Sequence, residues 1–274
     1  MKKRFIIACD LEGVNNVVGE AYSGLVKGCE QWEIARHQAA LEINAAAEAL
    51  FENGAECVDL WDNHGGGNNI DPTELDPRIR LLSPDMKKPR FYFAGDYDAA
   101  LYFGYHAMEG TLGGVLAHTM NSVQNQHYKL NGDYIGEIDM DAYISASHGT
   151  PSCLFVGGDI ACSQAKRAVP EIVTVITKRE LSRNEATFRD NAELFAEIKK
   201  KAGALATADV ALKKLSYPAT MEKSYKRTED AAIYLKRIVE KGIAADYLES
   251  DVLGKDAHTV TSTVNDVYEF ITCI

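Results

Sequence analysis

Over the first two thirds of its 274 residues, the chain alternates short apolar runs with longer segments of helical character. Phe5–Cys9 is uninterrupted and apolar, as a strand buried on both faces requires. Residues 31–53 place Trp32, Ile34, Ala35, Leu41, Ile43, Ala46 and Leu50 at helical spacing, and Gly54 stands where a helix C-terminus is capped. Cys57–Trp61, Arg90–Ala94, Leu101–Tyr105, Cys153–Val156 and Ile172–Ile176 read as further strands. Asn131-Gly132 marks a hairpin within 125–135, and helices are expected over 136–147 and between the last two strands. Such βα alternation predicts an α/β fold, a mostly parallel central sheet flanked by helices.

The later sequence differs. A polar-faced helix is expected over 185–205, then strand, helix, strand and helix over 220–274, without the apolar strands of the first part. The change places a boundary near 205–217, dividing a catalytic α/β domain (1–205) from a smaller α+β domain (206–274).

Composition excludes several function classes. Hydrophobic residues at 46% and charged residues at 25% suit a folded globular chain. The net charge of −11, with Lys199–Lys201 the one clear basic run, argues against a nucleic-acid surface. After the basic opening the apolar run ends at Asp10, too short for a secretory core or a membrane span, so no membrane partner and a cytoplasmic location are expected. The six cysteines lack paired spacing and read as reduced thiols.

Chemistry gathers at the ends of the expected strands. The first runs into Asp10-Leu11-Glu12-Gly13, and in extended backbone residues two apart face the same way. The second ends at Asp62-Asn63-His64, followed by three glycines. A later one ends at Gly104-Tyr105-His106, His118 follows a Gly-Gly break, and Glu137 opens a helix. Open α/β sheets bind ligands beyond the carboxyl ends of their strands, and histidines converging there with carboxylates form a metal-site pattern. Individually, Glu12, His106 and Glu137 have structural readings at least as good, and the compact HExxH signature is absent. Asp62 and Asn63 are candidates to orient His64, and Asp159 is a candidate supporting group or a helix cap. His37, His127, His148 and His258 read as structural or solvent-facing.

The ordered set Asp-x-Glu-Gly, Asp-Asn-His, Gly-Tyr-His-Ala, His-Thr-Met and Gly-Glu-x-x-x-x-Ala-Tyr resembles the zinc-dependent D-aminopeptidases of the bacterial dipeptide-permease operon, over roughly residues 4–178. The resemblance implies that Asp10, Glu12, His64, His106 and Glu137 hold two zinc ions, with Asp10 bridging them. It implies that His118 is the catalytic histidine, and that the chain forms a homodecamer of stacked pentameric rings around an internal chamber. Two roles are open to His118: direct attack on the carbonyl, or general acid/base transfer, preferred here because a dizinc site already activates water.

Departures lie around the pocket. Val14-Asn15-Asn16-Val17-Val18 replaces an Ile-Ser-Gly stretch, and residues 179–217 match poorly. The expected activity is therefore release of the N-terminal residue from a short peptide or amino-acid amide, with a D-residue as one possibility. Hydrolysis of another amide or ester is the alternative. A non-catalytic ligand-binding module is disfavoured, because no GxGxxG or P-loop follows the first strand and the carboxylates there would repel phosphate.

Overall fold

The computed structural model describes residues 3–82, 88–206, 212 and 214–274. In chain order the first elements are β1 (Arg4–Cys9), α1 (Glu30–Glu52), β2 (Cys57–Asp62), β3 (Arg80–Leu82) and β4 (Ala99–Tyr105). A hairpin of β5 (Asn125–Leu130) and β6 (Asp133–Ile135) follows, then α2 (Glu137–Ser147), β7 (Ser152–Gly157), α3 (Asp159–Ala168) and β8 (Val173–Ile176). The remainder holds β9 (Lys178–Ser182), β10 (Glu185–Phe188), α4 (Asn191–Ala204), β11 (Ala219–Tyr225), α5 (Thr228–Glu240), β12 (Ala244–Ser250), β13 (Gly254–Val264) and α6 (Val267–Cys273).

Six parallel strands form the central sheet in the order β3-β2-β1-β4-β7-β8. Alternation along β1 sends Phe5, Ile7 and Cys9 into one core and Ile6 and Ala8 into another, so the strand is apolar throughout. The first core lies under α1 and α4, where Ala35, Ala39 and Ala46 meet Leu194 and Ile198. The second lies under α2 and α3 and continues through Tyr128, Leu130 and Met221 into a five-stranded antiparallel sheet, β12-β13-β11-β5-β6. In that sheet Lys129 of β5 pairs with Glu222 of β11, so residues 125–135 and the C-terminal segment share one layer. Within the expected boundary at 205–217, residues 207–211 and 213 lie outside the described residues. No helix among the described residues is long and apolar enough to cross a membrane, and the six cysteines form no disulfide.

Three local expectations fail. Arg90–Ala94 is not a strand but a turn leading into a 3-10 segment at Ala94–Asp96, with Phe91 at φ 54°. Phe91 stacks on Trp61 at 5.0 Å and is buried, and that packing outweighs the β propensity of its aromatic neighbours. The helix expected from 185 begins at Asn191, capped by Asp190, whose Oδ1 accepts the Glu193 N–H at 3.1 Å. The residues before it form the β9–β10 hairpin. Near the C-terminus, the second expected strand is a pair, β12 and β13.

The strand order reverses between β1 and β4, opening a crevice at their carboxyl ends. Two glycines draw the loops there together. A Cβ on Gly104 (φ +69°) would lie 2.0 Å from the Asp10 carbonyl oxygen, and one on Gly13 would lie 2.0 Å from the Tyr105 carbonyl oxygen. With the Gly13 N–H donating to the Gly104 carbonyl at 2.7 Å, the Asp10–Gly13 loop lies directly against the end of β4.

Candidate metal centre

The six sequence-derived candidates converge on this crevice. Asp10 and Glu12 leave the end of β1, His64 follows β2, His106 follows β4 and Glu137 begins α2. His64 Nδ1 lies 3.0 Å from Asp10 Oδ1 and 3.1 Å from Glu12 Oε2. His106 Nε2 lies 3.5 Å from Asp10 Oδ2 and 3.4 Å from Glu137 Oε1. His118 stacks on His106 with ring centroids 3.8 Å apart, its Nε2 3.9 Å from Glu137 Oε1. Asp10, Glu12, His106 and Glu137 are buried and His64 and His118 are half-buried, and all but His106 line a cleft of about 370 Å³.

Backbone contacts fix the two stacked imidazoles. His106 Nδ1 meets the Ala107 carbonyl at 2.9 Å and His118 Nδ1 the Leu116 carbonyl at 2.8 Å. A carbonyl can only accept, so both Nδ1 atoms carry hydrogen and both Nε2 atoms are left basic when the rings are neutral. His106 Nε2 is buried without a hydrogen-bond partner. Burial works to raise the Asp10 carboxyl, but the neighbouring imidazoles of His106 and His64 hold it well below the usual range. The same opposition, with His106 prevailing, takes Glu137 down to about 2. Burial lowers His64, but Glu12 and Asp10 push it up to about 11, and Asp10 and Glu137 raise His106 against its own burial.

These residues fit a zinc site. Oxygen and nitrogen ligands at about 2.0–2.1 Å around a tetrahedral ion stand roughly 3.3–3.4 Å apart. The separations from His106 Nε2 to Asp10 and Glu137 are close to that value, and the buried orphan nitrogen lies between them. Potential ligand atoms of Asp10, Glu12 and His106 lie within 4.8 Å of one another, as do those of His106, His118 and Glu137.

The other candidates sit elsewhere. Asp62 does not touch the His64 ring; it accepts from the Asn69 and Ile70 backbone, while Asn69 Nδ2 donates to the His64 carbonyl at 2.8 Å. Asn63 Nδ2 donates to the Tyr105 hydroxyl at 3.0 Å. Asp159 opens α3 and accepts the Glu180 N–H at 2.9 Å. His37 pairs with Glu74, His148 ends α2, His258 bonds the Tyr225 carbonyl, and His127 packs edge-on against Tyr134.

Two supports escaped the sequence reading. Asp141, one turn after Glu137, receives Arg90 through bonds of 2.7 and 2.8 Å and the Tyr105 hydroxyl at 2.6 Å, and Arg90 Nη2 lies 3.6 Å from Glu137 Oε2. The i,i+4 spacing of Glu137 and Asp141 was the available signal. Buried Lys178 donates to the carbonyls of Glu12, Val14 and Val17 at 2.5, 3.0 and 2.5 Å, gathering the loop that carries Asp10 and Glu12. Lys178→Met leaves those three carbonyls without their ammonium. It is expected to lower stability by about 3 kcal/mol or more, read as a lower urea midpoint; an unchanged midpoint would show that the loop holds itself.

A family description, D-aminopeptidase, matches residues 3–246. The curated D-aminopeptidase of Bacillus subtilis (strain 168) is 27% identical over 183 residues, or 66% of this chain and 65% of that relative. The matched region thus spans just under two thirds of the relative's length. Among solved structures, the zinc-dependent D-aminopeptidase from Bacillus subtilis, a self-compartmentalizing protease, aligns with a TM-score of 0.84 at 21% identity, covering 98% of this chain and 94% of that one. With the match running through β1, β2, β4 and α2, the elements that carry the cluster, this chain belongs to the D-aminopeptidase family.

Proposed function

We propose that the chain is a zinc-dependent aminopeptidase that releases the N-terminal residue, D-configured in the preferred case, from short peptides or amino-acid amides. The observation that carries the reading is the buried, unpartnered His106 Nε2 between Asp10 and Glu137. Asp10, Glu12, His64, His106 and Glu137 would hold two zinc ions, Asp10 contributing to both through its separate contacts with His64 and His106. Bound zinc supplies a Lewis acid that polarises the scissile carbonyl and lowers the pKa of water.

The protein's own groups complete the chemistry. The cleft of about 370 Å³ is large enough for the first residue of a peptide. His118, anchored through Nδ1, presents Nε2 to the cleft and can carry a proton from attacking water to the leaving amine. Arg90, fixed by Asp141, holds a positive charge beside Glu137.

Metal analysis tests the proposal together with turnover of D- and L-alaninamide and the matching dipeptides. The expected result is two zinc ions per chain, activity lost to chelation and restored by zinc, and faster cleavage of the D series. Fewer than about one ion per chain after loading would overturn it, because metal binding and folding of such a site are coupled. Zinc at a hundredfold excess over Kd should stabilise the fold by about 2.7 kcal/mol, read as a Tm rise of roughly 5–10 °C. The decamer expected from the family resemblance belongs to the same proposal, and light scattering from a lone chain would remove it.

A further inference from the structure

The cleft has a side cavity. Asn63, Gly65, Arg90 and Met120 line both the cleft and a neighbouring space of about 250 Å³. Two residues of this shared rim touch the metal centre: the Met120 N–H donates to Glu137 Oε1 at 2.8 Å, and Arg90 Nη2 lies 3.6 Å from Glu137 Oε2. A molecule held at Glu137 therefore has the cavity immediately beside it.

The cavity wall is aromatic. Trp61, at the end of β2, stacks on Phe91 and meets Phe93 edge-on at 5.5 Å, and Tyr92 stands edge-on to Phe93 at 5.0 Å. Phe91 is buried, but Trp61 and Phe93 are half-buried and Tyr92 is exposed, so ring surface is left uncovered. Arg90, fixed by Asp141, lies 5.2 Å from the centre of the Trp61 ring, and its guanidinium is a planar cation of the kind that stacks on aromatic rings. Asp62, the one acid in the wall among the described residues, is already occupied by the Asn69 and Ile70 backbone.

The backbone of the wall is also unusual. Phe91 and Met120 both hold left-handed conformations, at φ 54° and 65°, and residues strained in this way gather at ligand sites. Gly66 shows the opposite: its φ is outside the left-handed region, and a Cβ there would meet nothing within 4 Å. Neither the backbone nor crowding within the protein calls for glycine at this point of the cavity wall, and its bareness leaves room for an occupant.

We infer that this cavity takes an aromatic side chain on the residue released by hydrolysis. The inference rests on the proposed aminopeptidase activity and adds the determinant of which residue is released fastest. An apolar cavity of about 150 Å³ is enough to take up benzene, so the space here accommodates a phenyl or phenol ring, which gains edge and face contacts with Trp61, Tyr92 and Phe93. The released residue is the occupant because its carbonyl must lie at the metal ligands, which places its α-carbon a single bond from the rim formed by Arg90 and Met120.

D-phenylalaninamide and D-alaninamide, with their L counterparts, share ammonia as the leaving group, so their rates compare the released residue alone. In the faster-cleaved series the phenylalanine amide should exceed the alanine amide about tenfold to a hundredfold in kcat/KM, the scale of burying one aromatic side chain. In Gly66→Val the ratio should fall to about one, while Phe188→Ala, which removes an exposed aromatic on β10 outside the cavity, should keep it. If Gly66→Val does not fold, Tyr92→Ala, which removes an exposed ring from the wall, carries the same reading. A wild-type ratio near one, or a ratio that survives the cavity substitution in a folded, zinc-loaded chain, overturns the inference. Calorimetry of the zinc-loaded protein with D-phenylalaninol and D-alaninol, which have no amide to hydrolyse, reads the cavity without turnover. Tighter binding of phenylalaninol with no amide hydrolysed would sink the aminopeptidase proposal and keep the cavity; equal binding, with both amides hydrolysed at equal rates, would do the reverse.

Discussion

Asp10→Asn is expected to abolish turnover, by at least about a thousandfold, and to reduce zinc content, while the chain stays folded. Asparagine keeps the shape of aspartate and can still accept the Leu11 N–H that Asp10 Oδ1 receives at 2.9 Å. What it loses is one negative charge at the position where the contacts of His64 and His106 meet. Lewis-acid polarisation supplies several kcal/mol to a hydrolytic transition state, and each 1.36 kcal/mol is a factor of ten, so losing the ion predicts a fall of about this size. Zinc per chain, circular dichroism and turnover check the three parts separately. Full zinc content with normal turnover would show that Asp10 is structural, and loss of the folded spectrum would show that its charge is needed for assembly of the loop.

The parts of this arrangement that were legible in the sequence share one property: each is announced by its neighbours in the chain. Phe5–Cys9 is apolar because both faces of β1 are buried, and Asp10 and Glu12 stand out because a strand that ends there has no structural need for two carboxylates. His64 and His106 were visible as strand-end residues beside glycines, and ordered family motifs linked them. What stayed hidden depends on partners far away in sequence. The β5–β6 hairpin could be read from Asn131-Gly132, but its pairing with β11, Lys129 opposite Glu222, has no local signature. Phe91 and Phe93 have strand propensity, and only contact with Trp61 makes their segment a turn. The β9–β10 hairpin is polar because much of it is exposed, so it merged with the helix after it. Lys178 reads locally as an ordinary surface cation, although its ammonium is buried among three loop carbonyls more than 160 residues earlier in the chain.

That contrast bears on how the site is held. A cluster of carboxylates and histidines is unfavourable to assemble in a buried crevice, because like charges repel and burial disfavours their charged forms. The fold counters this with distant groups: Lys178 beneath the Asp10–Glu12 loop, and Arg90 with Asp141 beside Glu137. These distant groups position the Asp10–Glu12 loop and Glu137 at the crevice.

His118→Ala should separate chemistry from metal binding. The expected outcome is full zinc content, an unchanged Tm response to zinc, and turnover reduced about a hundredfold to ten-thousandfold, the range for a positioned general acid or base. His118 is more exposed than His106, with side chains 15% and 1% accessible, and its Nε2 stands 3.9 Å from Glu137 against 3.4 Å for His106. It is therefore the stacked imidazole with room to meet a substrate, and its Nδ1 bond to the Leu116 carbonyl holds the tautomer that leaves Nε2 free to take a proton. Its place among ligand-spaced atoms with His106 and Glu137 gives the competing assignment a definite signature: His118→Ala would then lose an ion together with activity. Near-normal turnover with zinc bound would remove His118 from the mechanism altogether. If it acts as acid and base, the pH profile of kcat/KM for the residual activity should lose one of its ionisations, and the substrate whose leaving amine is least basic should suffer least. A nucleophilic His118 would instead be revealed in the wild-type enzyme by an acyl group trapped on its imidazole during turnover.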